Sequence, residues 1–276
     1  DYNIDNSLRF NDDDDAYLSW TPGSDGDLDK WTLSFWHKRT AVASNDRVFT
    51  VADNGNNTVM AFLGGGTGDL RFEHYDGSQL AMLTTNRLFR DPSAWYHFVF
   101  VWDTGNAAAG NRQRMYVNGV EETSFATDTN PSSGRVSFVS DASYAHWFGR
   151  GSTQTAANNL DGYLAEVAFC DGQTYAASDF GKFDSDSGIW KPKDFKNDVT
   201  FGSQGYYLEF KETGTSQNSS GIGADTSGED NHWAVTNLAA TDQTTDTPTN
   251  NFCTLNPLVN SNFTFSEGNL KVNANP

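Results

Sequence analysis

The chain has 276 residues, room for one large β domain or two small ones. Aromatic residues make up 14% of it, ample for a core, while Lys, Leu, Glu and Ala are too sparse for a helical protein. Its 36 acidic against 18 basic residues give a net charge of −18, which would repel nucleic acid and an anionic membrane surface and argues against both as partners.

Residues 7–10 (SLRF) and 16–20 (AYLSW) read as short strands around the acidic turn Asn11 to Asp15. Its consecutive aspartates read as a solvated turn, since neighbours in one loop seldom converge on one ion without ligands from elsewhere. Residues 22–29 form a polar loop and 31–38 (WTLSFWHK) the first core strand. A strand over 46–53 ends in a turn at Asn54-Gly55, and 58–63, 69–75 and 79–84 follow as a meander. The triple glycine 64–66 lacks the Lys-Ser/Thr and the following helix of a phosphate loop. Asp91-Pro92 precedes the strand 95–102 (WYHFVFVW), and Asn118-Gly119 turns a hairpin from 114–117 into 120–125. Residues 136–139 and 147–149 read as extended, ahead of a loop over 150–159.

The stretch 160–171 (LDGYLAEVAFCD) organises the rest. Leu164, Val167 and Phe169 are its apolar positions, and Asp161-Gly162 and Asp171-Gly172 bound it. A short helical turn is expected over 176–183, and a final strand over 206–210 (YYLEF), returning beside residues 7–10. Strands spaced roughly 8–12 residues apart suit a two-sheet antiparallel sandwich.

From Lys211 the composition turns polar. Residues 212–251 hold few apolar side chains beyond Trp233, Val235 and Leu238, and read as an extended arm or linker. Residues 252–276 read as the start of a further β domain or a strand-exchange segment. The expected organisation is a sandwich over 1–211, an arm over 212–251 and this last segment, with the chain a fragment of a longer one, opening on Asp1 and closing on NLKVNANP. Cys170 and Cys253 are expected to be free thiols, the first buried, and no apolar run approaches the roughly 18 residues of a membrane span.

Phe35-Trp36, Trp95-Tyr96-His97-Phe98, Met115 to Gly119 (MYVNG) and Leu160 to Val167 (LDGYLAEV) resemble, as a set, the hallmark strands of laminin-G-like, concanavalin A-like jelly rolls, over about residues 5–210. The runs Glu166 to Gln173, Asp179-Phe180-Gly181, Trp190-Lys191-Pro192, Asp225 to Gly228, His232-Trp233 and Asp246 to Asn250 look, more narrowly, like the laminin-G-like segments of bacteriophage virion proteins, marine-phage fibres and appendages in particular. The resemblance implies an all-β jelly roll and a structural role in a fibre, spike or capsid appendage on the particle surface. It implies as partners other virion proteins and copies of the chain, trimers being common, with host-surface polysaccharide as a further ligand.

Jelly rolls of this class include glycosidases and lyases. A retaining glycosidase needs two carboxylates about 5 Å apart. Glu166 has Leu164 and Ala168 as same-face neighbours, Glu209 stands alone, and none of the five histidines has a nucleophile and acid suggested by local spacing. The expectation is therefore no catalysis, a polysaccharide depolymerase being the weaker alternative. Calcium is a further candidate. Pentraxin-like relatives hold it with an Asp-Asn pair and later loop acids; Asp53-Asn54 matches the pair, but 149–159 contains no carboxylate. Asp184 and Asp186 alternate like the start of a calcium loop without its distant Glu, and an Asx turn is the other reading. For glycan, the candidates are Tyr144, His146, Trp147 and Arg150 beside the 150–159 loop, against the reading that Trp147 fills the core. Two functions follow: a virion structural module that also meets glycan, or a calcium-dependent lectin domain.

Overall fold

The computed structural model describes residues 2–40, 42, 45–52, 57–64, 66–151, 159–255, 263–266 and 269–274. In chain order the strands are β1 (Ser7–Phe10), β2 (Tyr17–Trp20), β3 (Lys30–Arg39), β4 (Asp46–Ala52), β5 (Asn57–Leu63), β6 (Asp69–Asp76) and β7 (Gln79–Leu88). After them come β8 (Tyr96–Asp103), β9 (Gln113–Val117), β10 (Val120–Glu121), β11 (Phe125–Thr129), β12 (Ala145–Phe148) and β13 (Gly162–Asp171). The remainder are β14 (Gly181–Phe183), β15 (Trp190–Pro192), β16 (Tyr206–Leu208), β17 (Ala234–Thr236), β18 (Gln243–Thr244), β19 (Phe263–Ser266) and β20 (Lys271–Ala274).

Two antiparallel sheets enclose the core. The first runs β10-β9-β8-β3-β13-β1-β18, with β16 also on β13; the second runs β11-β7-β6-β5-β4-β12-β2-β17. Strand alternation sends one set of side chains inward. Trp31 stacks on Trp102 with ring centroids 6.3 Å apart, and Phe72 meets Phe100 edge-on at 5.1 Å. Burying each such ring contributes about 1.5–3 kcal/mol.

All ten residues of β13 are buried, because both faces of its sheet are covered. Leu164, Val167 and Phe169 enter the inter-sheet core, while Tyr163, Ala165, Ala168 and Cys170 enter a second apolar layer with Phe180, Trp190, Phe195 and Phe201. The change of step between these sets marks a β-bulge. The β3–β13 register shifts between Ala165 and Ala168, and Glu166 takes the left-handed backbone, φ 51°.

The bulge also explains a pairing that the sequence reading placed elsewhere. Residues 206–208 were expected beside β1, yet β16 pairs with Val167–Phe169 of β13 while β1 pairs with Gly162–Leu164. The two short strands lie end to end along one edge of β13, one on each side of the bulge. Other local expectations shift too. The hairpin return ends at Glu121, and the chain crosses to the second sheet, where β11 pairs with β7. Residues 136–137 are irregular and run into a bend at 138 and a turn at 139–140, and the turn expected over 176–183 is a 3-10 helix at Ala177–Asp179 leading into β14.

Residues 212–251, expected as an arm, lie along the chain's own sandwich. β17 pairs with β2 at the edge of the second sheet, and β18 pairs with β1 at the edge of the first. Trp233 is fully buried, its ring 4.8 Å from Phe148 and 5.0 Å from Tyr206. Asp225 anchors the path: its carboxylate accepts the Tyr207, Ser227 and Asn231 backbone N–H groups at 2.8–2.9 Å. Further on, Lys38 Nζ donates to Asp246 Oδ2 at 2.8 Å, to Asn251 Oδ1 at 2.9 Å and to the Phe252 carbonyl at 3.1 Å. Trp95 Nε1 donates to Asp246 Oδ1 at 3.1 Å. The hairpin β19–β20 pairs with neither sandwich sheet and is tied down by Asn269 Nδ2, which donates to the Thr40 carbonyl at 2.6 Å.

Candidate functional site

The four residues expected to rim a sugar site are divided by the structure. β12 alternates, so His146 and Phe148 face the core and Trp147 faces the other way. His146 sits between Trp20 (5.3 Å) and Phe49 (6.1 Å); its Nδ1 bonds the Tyr144 carbonyl at 3.1 Å and its Nε2 accepts from the Ser140 N–H at 3.2 Å. Burial drives its pKa down to about 3, so it is a neutral framework group. Tyr144 is half-buried against Phe138 at 4.8 Å. These two hold the fold and do not rim a site. Trp147 lies off the inter-sheet core but is only 4% exposed, too little for a stacking platform.

Arg150 does reach a pocket. Gly149, at φ 91° and with Phe10 and the Ala16 carbonyl too close for any Cβ, turns the chain out of β12. The Arg150 guanidinium then lies over the Tyr17 ring, 4.8 Å from its centroid. Around them is a cavity of about 230 Å³ lined by Asp15, Tyr17, Arg150, Asn159, Thr236 and Asn237. Asn159 Nδ2 donates to Asp15 Oδ1 at 2.7 Å, while Asn159 Oδ1 is buried with no hydrogen-bond partner among the described residues. Asn237 Nδ2 donates to the Asp14 carbonyl at 2.9 Å. A phenol ring, a guanidinium and a carboxylate suit a polyhydroxylated ligand, which both donates and accepts.

Sequence reasoning named Arg150 and none of the other residues that line this cavity. Thr236 and Asn237 arrive only because β17 adds to β2, a pairing of residues more than 200 positions apart. The one local signal was Tyr17, on the outward position of β2 beside inward Leu18.

Of the metal candidates, Asp53 and Asn54 lie outside the described residues. Asp184 is engaged in closing the β14–β15 hairpin: Oδ1 accepts from the Ser187 N–H (2.9 Å) and Oγ (2.8 Å), and Oδ2 accepts from Lys191 Nζ at 2.7 Å. These bonds hold its carboxyl well below the usual range, and the geometry is an Asx turn. The Asp186 backbone N–H lies 3.3 Å from Asp184 Oδ1, and Asp186 Oδ1 accepts from Ser185 Oγ at 3.4 Å. Among the described residues no three acidic, His or Cys side chains converge as a metal site.

Glu166 and Glu209, which looked solitary in the sequence, share a pocket of about 290 Å³ with Tyr2, Lys196, Tyr207 and Lys211. The bulge turns Glu166 out of its strand's alternation; the three-residue step from Leu164 to Val167 was its trace in the sequence. Burial, aided by Glu209, pushes the Glu166 pKa up to about 7. Burial also acts on Glu209, but its bonds from Lys211 and Thr226 hold it below the ordinary value. Both carboxylates are engaged: Tyr207 and Tyr2 hydroxyls donate to Glu166, and Lys211, Thr226 and Lys196 to Glu209.

A family profile described as the concanavalin A-like lectin/glucanases superfamily, Laminin_G_3, matches residues 12–177. Among solved structures, a candidate carbohydrate-binding protein from Bacteroides ovatus is 13% identical with a TM-score of 0.50, over 88% of this chain and 60% of that one. A heptameric SAP-like pentraxin from Limulus polyphemus is 15% identical with a TM-score of 0.47, over 63% and 80%. Domains LG4-5 of the mouse laminin α1 chain are 13% identical with a TM-score of 0.42, over 60% and 42%. At these identities the likeness is one of fold. No curated protein sequence matches the chain.

Proposed function

The chain belongs to the concanavalin A-like lectin/glucanases superfamily, and on that premise we propose that it is a carbohydrate-binding sandwich whose sugar site is the Arg150 pocket. The observation that carries this is the Arg150 guanidinium held over the Tyr17 ring in a pocket that Asp15 also lines. The guanidinium and the carboxylate pair with sugar hydroxyls, and the phenol ring meets the C–H face of a pyranose. Binding without turnover is the reading supported by Glu166 and Glu209, each already committed to neighbouring hydroxyls and ammonium groups.

The proposal extends to a setting: the surface of a bacteriophage particle, in a fibre, spike or capsid appendage, among copies of the chain and other virion proteins, with host-surface polysaccharide as ligand. Support comes from the motif set that resembles such proteins. Two of those motifs supply Asp225 and Asp246, which fasten residues 225–252 to the sandwich.

Glycan-array binding of the wild type, Arg150→Ala and Asn159→Ala tests the site. The expected result is a defined set of wild-type hits that both substitutions weaken at least about tenfold, or about 1.4 kcal/mol. Hits that survive both changes unaltered would refute the assignment. Repeating the array with a chelator, and light scattering on the same samples, reads calcium dependence and copy number.

A further inference from the structure

We propose that a second saccharide groove, independent of the Arg150 pocket, crosses the outer layer of the first sheet and takes a carboxylate-bearing pyranose chain. Two adjoining cavities of about 240 and 450 Å³ share Ile189, Trp190 and Pro248 and run between the β14–β15 hairpin and the 246–251 segment. Trp36, Trp95 and Trp190 lie beneath the groove, only 4%, 8% and 9% exposed, so the surface open to a ligand is Phe183 (53% exposed) and Ile189 (62% exposed) at the wall. The central indole is fixed in place. Trp190 Nε1 donates to His97 Nδ1 at 3.1 Å, and a Cβ on Gly119 or Gly181 would fall 2.3 or 2.5 Å from the ring. Phe183 meets Trp190 edge-on at 4.9 Å. The exposed Phe183 ring, backed by this fixed indole, suits the C–H face of a pyranose ring, and amides at the rim suit its hydroxyls.

Charge selects the ligand. Neither cavity is lined by an Asp or Glu, although the chain has 36 acids against 18 bases, and Lys182 and Lys191 line the first. Three other cavities each carry at least one carboxylate. Lys191 is paired with Asp184, but among the described residues Lys182 enters no ion pair. An acid-free aromatic groove with an unpaired ammonium complements a uronate-type chain, stacking its rings and pairing its carboxylate.

The test is titration of the full chain with a mannuronate hexamer, followed by calorimetry and by emission of the groove tryptophans, with cellohexaose as the neutral comparison. Lys182→Glu and Phe183→Ala change exposed side chains, so the fold is retained, which near-UV circular dichroism verifies. The wild type is expected to bind the uronate hexamer with a shift in emission. Affinity should fall about tenfold in Lys182→Glu and again on raising salt to about 0.5 M, where screening is nearly complete beyond a few Å. Phe183→Ala should also weaken it, and Arg150→Ala should leave it unchanged. The proposal is overturned by no heat and no emission change with the uronate hexamer, by undiminished affinity in Lys182→Glu, by equal affinity for cellohexaose, or by loss of binding in Arg150→Ala alone. That last result assigns the ligand to the first pocket. Failure of the array hits to respond to Arg150→Ala, by contrast, strikes only the first site.

Discussion

Asp246→Ala should be among the most damaging single changes in the chain. Lys38 and Asp246 are buried together, their side chains 0% and 4% exposed, at 2.8 Å. Among the described residues, removing the carboxylate leaves the ammonium the Asn251 and Phe252 oxygens as hydrogen-bond acceptors, and strips Trp95 Nε1 of its acceptor. Breaking one side of a buried pair costs about 3–5 kcal/mol, because the remaining charge stays desolvated and uncompensated. For a chain of this length, whose unfolding entropy at about 2.1 cal/mol/K per residue amounts to roughly 0.6 kcal/mol/K, that lowers Tm by about 5–9 °C. The assay is calorimetric unfolding of the wild type, Asp246→Ala, Lys38→Met and the double variant Lys38→Met/Asp246→Leu. The double variant should recover most of the loss, since an apolar pair of similar volume replaces the ions without stranding either. A loss under about 1 kcal/mol in Asp246→Ala, or a double variant as unstable as the two singles added, would refute this account of the clasp.

Acid lability is a second prediction. Burial pushes His37, His74, His97 and His146 each down to about 3, so the folded chain keeps them neutral while the unfolded chain protonates them from about pH 6.5 downward. Their contribution is whole above pH 6.5 and is lost as pH falls toward 3, at about 5 kcal/mol per pH unit for the four together. Tm measured across pH 7 to 4 should therefore drop steeply, and a flat profile would contradict the buried, neutral assignment. Glu166 behaves oppositely. With its folded value raised to about 7, its contribution is fully present below the unfolded carboxylate range and is lost as pH rises through 7; Glu166→Gln should flatten that limb of the Tm profile between pH 5 and 8. Trp233→Ala should cost about 3–5 kcal/mol in urea unfolding, as for a core tryptophan, whereas a side chain on a dispensable linker would cost almost nothing.

Most of the sandwich was legible because its strands alternate and its turns are spelled with Gly, Asn and Asp. The 31–38, 95–102 and 160–171 stretches emerge as β3, β8 and β13, adjacent in one sheet, as their aromatic content suggested. What local pattern could not supply was pairing across distance. The polar composition after Lys211 correctly signalled a segment without a core of its own, but it gave no hint that the segment borrows the core of residues 1–211 through Ile222, Trp233 and Leu238. The site suffered for the same reason. Arg150 carried a visible charge in a loop, but Asn159 and Asn237 are ordinary loop amides until β17 settles beside β2. Tyr144 and His146 were misplaced because period-two alternation fixes which residues share a face without saying which face is inside.

The segment 225–252 closes one lateral edge of each sheet, with β17 on β2 and β18 on β1. During synthesis those edges come to exist once β13 has emerged, yet their covers lie as far on as Thr244. At 5–20 residues per second the 73 residues from Asp171 to Thr244 take roughly 4–15 s to make. For that interval a nascent sandwich presents two unpaired strand edges, the surface most given to pairing with a neighbouring polypeptide. Translation pace over this polar stretch thus sets how long the newborn protein is vulnerable to aggregation, a demand on codon choice and on chaperones that the finished fold no longer displays.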